Sequence, residues 1–360
     1  MLKLIISLFF VLSSSAWAYP TYVRLGYNNC TGCHVSAQGG GILTPYGKGI
    51  AMTQSFFAKE PDDEFSSKFV QALQFRAMRY KTEDEVRTFP MQMDYLVHDE
   101  VAPGWSIDGA LAVAPKPKDE TPENKKPFHE RLYARILSVS YDLEKKPNLE
   151  KKLTFGIGPL PMGIGIVDHT AYVRAENRFQ VTDNPIALKY YYSNPMFLTH
   201  TFLFGPNPNE GEGNREQGLG TQSWYRPHPQ VSVGLQALHG KTDAITRKMA
   251  GLLLKLGISK WALLFEHDFT KRDLHQTKSD FNQQATYLQL SFYPMDFLHL
   301  YANAQKITRD KSFELEQEQN GFGAEVRLIS NLSLSYEYRT RITGDKENNS
   351  QLLQLYFNWW

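Results

Sequence analysis

Beyond Ala18 the chain has no apolar run of the ~18–20 residues that a membrane-crossing helix needs. The most apolar stretch, 251–265, is interrupted by Lys255 and Lys260. A helical inner-membrane protein is thereby excluded. An excess of one charge is also missing: 39 basic residues face 38 acidic ones, so no net field draws in nucleic acid or an anionic surface. Cysteine is nearly absent, with Cys30 and Cys33 the only two. No Ser/His/Asp or paired-carboxylate constellation can be assembled, which leaves hydrolase or transferase chemistry without a site. Asp168-His169, His267-Asp268 and His228 between its two prolines read as solvated loop or lumen groups. Asp62-Asp63-Glu64 and the Glu314, Glu316, Glu318 series read as solvated charge.

Aromatic residues are abundant at 13%, with 19 Tyr and 22 Phe, yet the mean hydropathy is polar at -0.42. Many strands with one wet and one apolar face would give that mixture. The first residues, MLKLIISLFFVLSSSAWA, have the form of a secretory leader. Lys3 supplies the charge, Leu4 to Leu12 the short apolar core, and Ala16-Trp17-Ala18 the small-residue cleavage site. The apolar core is too short for a transmembrane anchor. Residues 1–18 are therefore expected to be removed on export.

Asn29-Cys30-Thr31-Gly32-Cys33-His34 contains C-x-x-C-H, the attachment pattern of a c-type haem. Two thiols spaced by two residues can add across the haem vinyl groups, and the adjacent His34 can ligate the iron as its proximal ligand. The competing readings are weaker. A redox disulfide needs only C-x-x-C, usually in a βαβ setting, and a zinc site needs two more ligands at suitable spacing. One covalent haem c on Cys30 and Cys33 is the expectation. For the distal position Met52 is the first methionine downstream, with Met78, Met91, Met93 and His98 further along; a packing role for Met52 or a five-coordinate iron stays open. Gly39-Gly40-Gly41 reads as a tight loop near the haem. It has neither the Lys-Ser/Thr ending of a phosphate-binding loop nor the setting of a dinucleotide fold. Residues 19–60 are too few to bury a macrocycle alone.

From about Phe65 onward strand-length segments alternate between apolar and polar faces. Leu298, Leu300, Ala302 and Ala304 oppose His299, Tyr301, Asn303 and Gln305. Ala250, Leu252, Leu254, Leu256 and Ile258 oppose a face containing Lys255. Leu332, Leu334, Tyr336 and Tyr338 oppose Ser333, Ser335, Glu337 and Arg339. Short turns at 225–231, 258–260, 293–296 and 329–331 alternate with long polar connections at 205–217, 271–283, 306–319 and 343–350. A transmembrane β-barrel predicts such alternation, whereas a soluble β-sandwich predicts a dry interior. The last segment ends on Trp359-Trp360, as a barrel's closing strand with an interfacial girdle would. Asn358 leaves the facing of that strand ambiguous. The expected fold is all-β: about sixteen antiparallel strands over 61–360, with 171–180 as loop. The haem segment should lie inside the lumen or at its mouth.

The residues Tyr22-Val23-Arg24, Gly26, Asn29-Cys30-Thr31-Gly32-Cys33-His34 and Leu43-Thr44-Pro45-Tyr46-Gly47-Lys48 resemble the fused monohaem cytochrome–porins of bacterial outer membranes. The detailed match is confined to this stretch. It implies that Cys30 and Cys33 carry the haem and that His34 ligates its iron. It also implies an outer-membrane location and electron transfer across that membrane. A soluble periplasmic carrier would be met on one side, and an extracellular donor or acceptor, ferrous iron among them, on the other. Members from iron-oxidising bacteria accept electrons from ferrous iron, so an iron-oxidase role enters as an expectation. The direction of flow stays open. The competing expectation is a porin that the haem segment plugs or gates, and a haem-based sensor is a third.

Overall fold

The computed structural model describes residues 21–27, 33–34, 42–56, 69–113, 131–166, 170–179, 183–209, 215–277, 279–310 and 313–359. The leader, Cys30, the run Gly39–Gly41, Asp62-Asp63-Glu64, Asp168-His169 and Trp360 lie outside them. Among the described residues, no helix is long and apolar enough to cross a membrane.

The wall begins with β1 (Phe69–Lys81), β2 (Val86–Ala102), β3 (Trp105–Val113), β4 (Leu132–Lys146) and β5 (Leu149–Ile157). It continues with β6 (Ile186–Ser193), β7 (Phe197–Phe204), β8 (Gln217–His228), β9 (Val231–Lys241) and β10 (Ile245–Ile258). The last six are β11 (Trp261–Leu274), β12 (Ser279–Met295), β13 (Leu298–Arg309), β14 (Leu315–Ile329), β15 (Leu332–Thr343) and β16 (Lys346–Trp359). Each strand pairs antiparallel with the next. The last closes on the first, from Leu73 opposite Trp359 to Lys81 opposite Gln351. Closure leaves no strand edge, which is the condition for a sheet to stand in lipid. The number of strands is the sixteen expected.

Period-two patterning sets which side faces where. On β10, Ala250, Leu252 and Ile258 are exposed on the outer face, while Met249, Leu253, Lys255 and Gly257 are buried within the barrel. On β16, Leu353 and Trp359 face outward and Asn358 points inward, fully buried. The facing that the sequence left ambiguous is thereby fixed.

At one rim the connections are uniformly short: 103–104, 147–148, 194–196, 229–230, 259–260, 296–297 and 330–331. Outward-facing aromatic pairs stand just above this rim. Trp105 meets Tyr141 at 4.7 Å, Phe197 meets Tyr225 at 5.3 Å and Trp261 meets Phe292 at 4.5 Å. Such a belt is the interfacial girdle of a membrane barrel. Both ends of the wall, Phe69 and Trp359, lie at this same rim.

The long polar connections are a partial correction. The β7–β8 connection, 205–216, is long as expected, but β11 runs on to Leu274 and β12 begins at Ser279. The link between β13 and β14 shrinks to 310–314, and that between β15 and β16 to 344–345. The outward apolar face of β11 runs only from Trp261 to Phe269, about the 9–11 residues that a tilted spanning strand needs. Beyond it the ladder continues with polar side chains. Lys271 stands opposite Asn282 and pairs with Asp273 at 3.4 Å and Asp280 at 3.3 Å. Polarity there marks strands rising past the apolar band, not loops.

Candidate functional site in the barrel lumen

Two stretches of chain occupy the lumen. The first is N-terminal and sits at the short-turn rim. It contains α1 (Thr21–Arg24) and α2 (Pro45–Thr53). The Thr44 side chain caps α2 by accepting from the Gly47 amide at 3.0 Å. Cys33 and His34 run beside the entry to this helix. His34 forms a β-bridge with Leu43, and the Thr44 amide donates to the Cys33 carbonyl at 2.9 Å. Gly47 lies directly on the Cys33 backbone, where no side chain would fit.

This cap is fixed to the wall at several points. Ile42 packs with Ala72, Leu96 and Ala110 on β1, β2 and β3. On the other side α1 rests on Gly257 of β10, where an added Cβ would stand 2.4 Å from the Arg24 Cα. The Arg24 guanidinium donates to Asp296 at 2.6 Å and to Gln54 at 3.3 Å, and lies 4.7 Å over the Tyr293 ring. Gln230 donates to the Arg24 carbonyl at 2.7 Å. At a ladder irregularity between Arg327 and Ile329, the Arg327 carbonyl accepts from the Phe56 amide at 3.0 Å. Bulges commonly free a backbone group in this way.

Cys33 and His34 are both buried. Burial pushes the Cys33 thiol up from its ordinary value and pulls the Lys48 ammonium down to about 7. Burial also raises the Tyr22 phenol, opposed by the neighbouring Arg327 guanidinium. Were a c-type haem attached here, Cys33 would supply one thioether and the adjacent His34 imidazole the iron ligand, while Cys30, the second thiol, lies outside the described residues. Met52 is half-buried at the edge of the α2 face formed by Gly47, Lys48, Ala51 and Gln54. Met78 faces the lumen from β1, and His98 on β2 is 2.8 Å from Asp108. Among the described residues, no cluster of three or more His, Cys, Asp or Glu side chains offers a competing metal site.

The second lies in the β5–β6 connection, whose described residues 158–166 and 170–179 pack inside the barrel. It carries α3 (Tyr172–Ala175). Ile164, Ile166, Ala171 and Val173 pack against Tyr191, Leu198, Trp224, Leu253 and Leu264 of the wall. Its polar groups are matched by wall side chains over the arc from β8 to β15. The Ile164 amide donates to Glu266 at 2.9 Å, the Gly163 amide to Gln236 at 2.7 Å and the Tyr172 amide to Gln305 at 3.0 Å. Asn177 donates to Asp268 at 2.8 Å and accepts from Thr270 at 3.0 Å. Arg247 donates to the Asn177 carbonyl, Arg309 pairs with Glu176, and Arg339 donates to Thr170 at 3.0 Å. Of these wall positions, the polar alternation marks Gln305 and Arg339 as luminal. Nothing in the sequence of 158–185 showed that this connection folds inward.

His267 and Asp268 do not act together. Asp268 is fully buried inside, whereas His267 faces outward, 2.7 Å from Thr286. Glu316 and Glu318 are exposed partners of Lys306, and His228 is exposed at the end of β8.

No protein-family model matches the chain, and no curated protein does. Solved structures do. OmpT, an outer-membrane protein of Vibrio cholerae, is 12% identical with a TM-score of 0.61, over 81% of this chain and 97% of that one. An anion-selective porin from Comamonas acidovorans is 11% identical with a TM-score of 0.56, over 81% and 99%. OmpF of Salmonella typhi, solved with daunomycin, is 10% identical with a TM-score of 0.57, over 81% and 98%. The fold is that of the outer-membrane porins. At these identities the likeness concerns architecture alone.

Proposed function

We propose that the chain is a porin-type barrel of the bacterial outer membrane whose passage is governed by its own luminal segments, the N-terminal one carrying a covalent c-type haem on Cys30 and Cys33 with His34 as proximal ligand. The observation that carries this reading is the anchoring of the cap to opposite sides of one mouth, through Ile42 on β1–β3 and α1 on Gly257 of β10. A barrel of this size would otherwise enclose an open aqueous lumen. The short-turn rim, with its aromatic belt, belongs on the periplasmic side. Lipid is then the partner of the outer face. Conductance in planar bilayers tests the reading. The full-length protein should pass ions poorly, and variants that undock the cap should pass them freely. An open channel in the full-length protein would count against it.

A second reading is favoured by the burial of Cys33 and His34 within the mouth. A haem held there could exchange electrons with a soluble periplasmic carrier on the near side. An extracellular donor or acceptor, ferrous iron included, would be reached through the lumen. When bound, the haem supplies one-electron chemistry. The residues of this chain would exclude lipid, orient the cofactor and tune its potential. Proteoliposomes enclosing a soluble cytochrome c, with ferrous iron added outside, distinguish the two. Reduction of the enclosed protein supports transfer, and ion flux without reduction leaves the plugged channel.

A further inference from the structure

We propose that His299, on the barrel wall, is the distal ligand of the haem iron, so that the cofactor is held between the cap and β13. This rests on haem attachment at Cys30 and Cys33. His299 faces the lumen one residue into β13, beside the turn that holds Arg24. Its ring stacks on Tyr293 at 4.6 Å with 7° between planes, and Arg24 of the cap lies over that same Tyr293 ring. Through Arg24 over Tyr293, and Tyr293 on His299, the described part of the cap reaches the wall beside the His299–Glu325 pair.

The imidazole has the environment of a ligand. Its Nδ1 lies 3.7 Å from Glu325 Oε2. Metal-bound histidines commonly give their second ring nitrogen to a carboxylate, which fixes the tautomer and the ring orientation. The other nitrogen, Nε2, is buried with no hydrogen-bond partner among the described residues. A buried imidazole with a packing role usually has both nitrogens satisfied, because a buried, unpaired ring nitrogen lowers stability. Coordination would satisfy Nε2 without a hydrogen bond. Stacking on Tyr293 and the tilted Tyr301 ring at 5.0 Å hold the plane of the ring. His98 also has a carboxylate beside it, but its Nε2 is not left orphaned in the same way, and Met52 is carried on the cap's own helix.

The test uses full-length protein matured with c-type haem. Intact mass first establishes covalent haem; its absence refutes the attachment on which the inference rests. With haem present, the wild-type ferric protein should be low-spin with the electron paramagnetic resonance of two imidazole ligands, and should lack the long-wavelength thioether band. In His299→Ala the iron should become high-spin, and added imidazole should restore the low-spin spectrum. In His299→Met the thioether band should appear. Met52→Ala and His98→Ala should leave the spectrum unchanged. A thioether band in the wild type, a low-spin His299→Ala protein without imidazole, or loss of low-spin character in His98→Ala would each overturn the assignment while leaving attachment intact. Should His299→Ala not fold, the wild-type spectrum still decides between two imidazoles and a thioether.

Discussion

Gly47 and Cys33 are in backbone contact: a Cβ at Gly47 would stand 2.1 Å from the Cys33 carbonyl oxygen. The first turn of α2 can seat on the attachment segment only because that position has no side chain. Gly47→Ala should force the two apart, at the roughly 1–3 kcal/mol typical of overpacking. The readout is the thiol of haem-free protein. Burial raises the Cys33 pKa, so the reactive thiolate is scarce near neutral pH and grows only above the usual thiol range. Alkylation of native wild-type protein should be slow and should need a higher pH than in urea. In Gly47→Ala it should approach the unfolded rate. Equal rates in native and urea-treated wild type would show that the cap does not shield this cysteine.

Arg24 and Asp296 give unequal effects across one ion pair. Asp296 is 60% exposed and Arg24 only 6%, so the ion pair itself is worth about 0–1 kcal/mol. The Arg24 guanidinium also lies over the buried Tyr293 ring and donates to Gln54, and a desolvated cation–π contact adds about 2 kcal/mol. Asp296→Ala should therefore leave the cap resistant to protease. Arg24→Ala should release it and raise bilayer conductance. Equal behaviour of the two variants would place the anchoring in the ion pair instead.

How much of this was readable from residues depended on what each signal reports. The alternation of Leu298, Leu300 and Ala302 with His299, Tyr301 and Asn303 reports the facing of one strand, and the structure agrees throughout. Strand ends are less legible, because polar residues at a strand end resemble a loop. Lys271 and Asp273 look like loop residues by composition, yet they remain in the ladder because polar strands are stable once above the apolar band. The inward course of 158–166 and 170–179 was invisible. Its apolar residues Ile164, Ile166 and Val173 have partners far away in sequence, on β6, β7, β10 and β11, and local pattern carries no information about such contacts. His299 was legible as luminal but not as special. Its standing comes from Glu325, on the neighbouring strand, and from the cap.

Asn177 is the central polar contact of the inward segment. It is fully buried, bonded to Asp268 and Thr270 by its side chain and to Arg247 by its carbonyl. Asn177→Ala should strand the Asp268 and Thr270 groups, costing about 1–3 kcal/mol of local stability. The barrel wall needs none of these bonds to close. The expected outcome is an intact, heat-modifiable barrel in which protease gains access to 170–180 and conductance fluctuates more. Unchanged protection of the segment would mean that its apolar contacts alone hold it.

Leu235 tests whether the outer face meets lipid. It lies mid-strand on β9, 64% exposed, opposite Leu252 of β10, which is also exposed. On a barrel standing in water, Leu235→Arg would place a soluble side chain on an already exposed site, within about 0.5 kcal/mol of neutral. On a barrel spanning a bilayer the same change puts a cation near the apolar midplane, costing about 2–4 kcal/mol. Gln236, the next residue, points inward to Glu266 and Asp268, so Gln236→Glu instead sets a third carboxylate beside two others. Urea titration of the protein refolded into lipid vesicles separates the cases. Destabilisation by Leu235→Arg in thick but not in short-chain bilayers would show that lipid depth is the cause. A neutral Leu235→Arg in every lipid would remove the membrane from the account and leave the barrel as a soluble container.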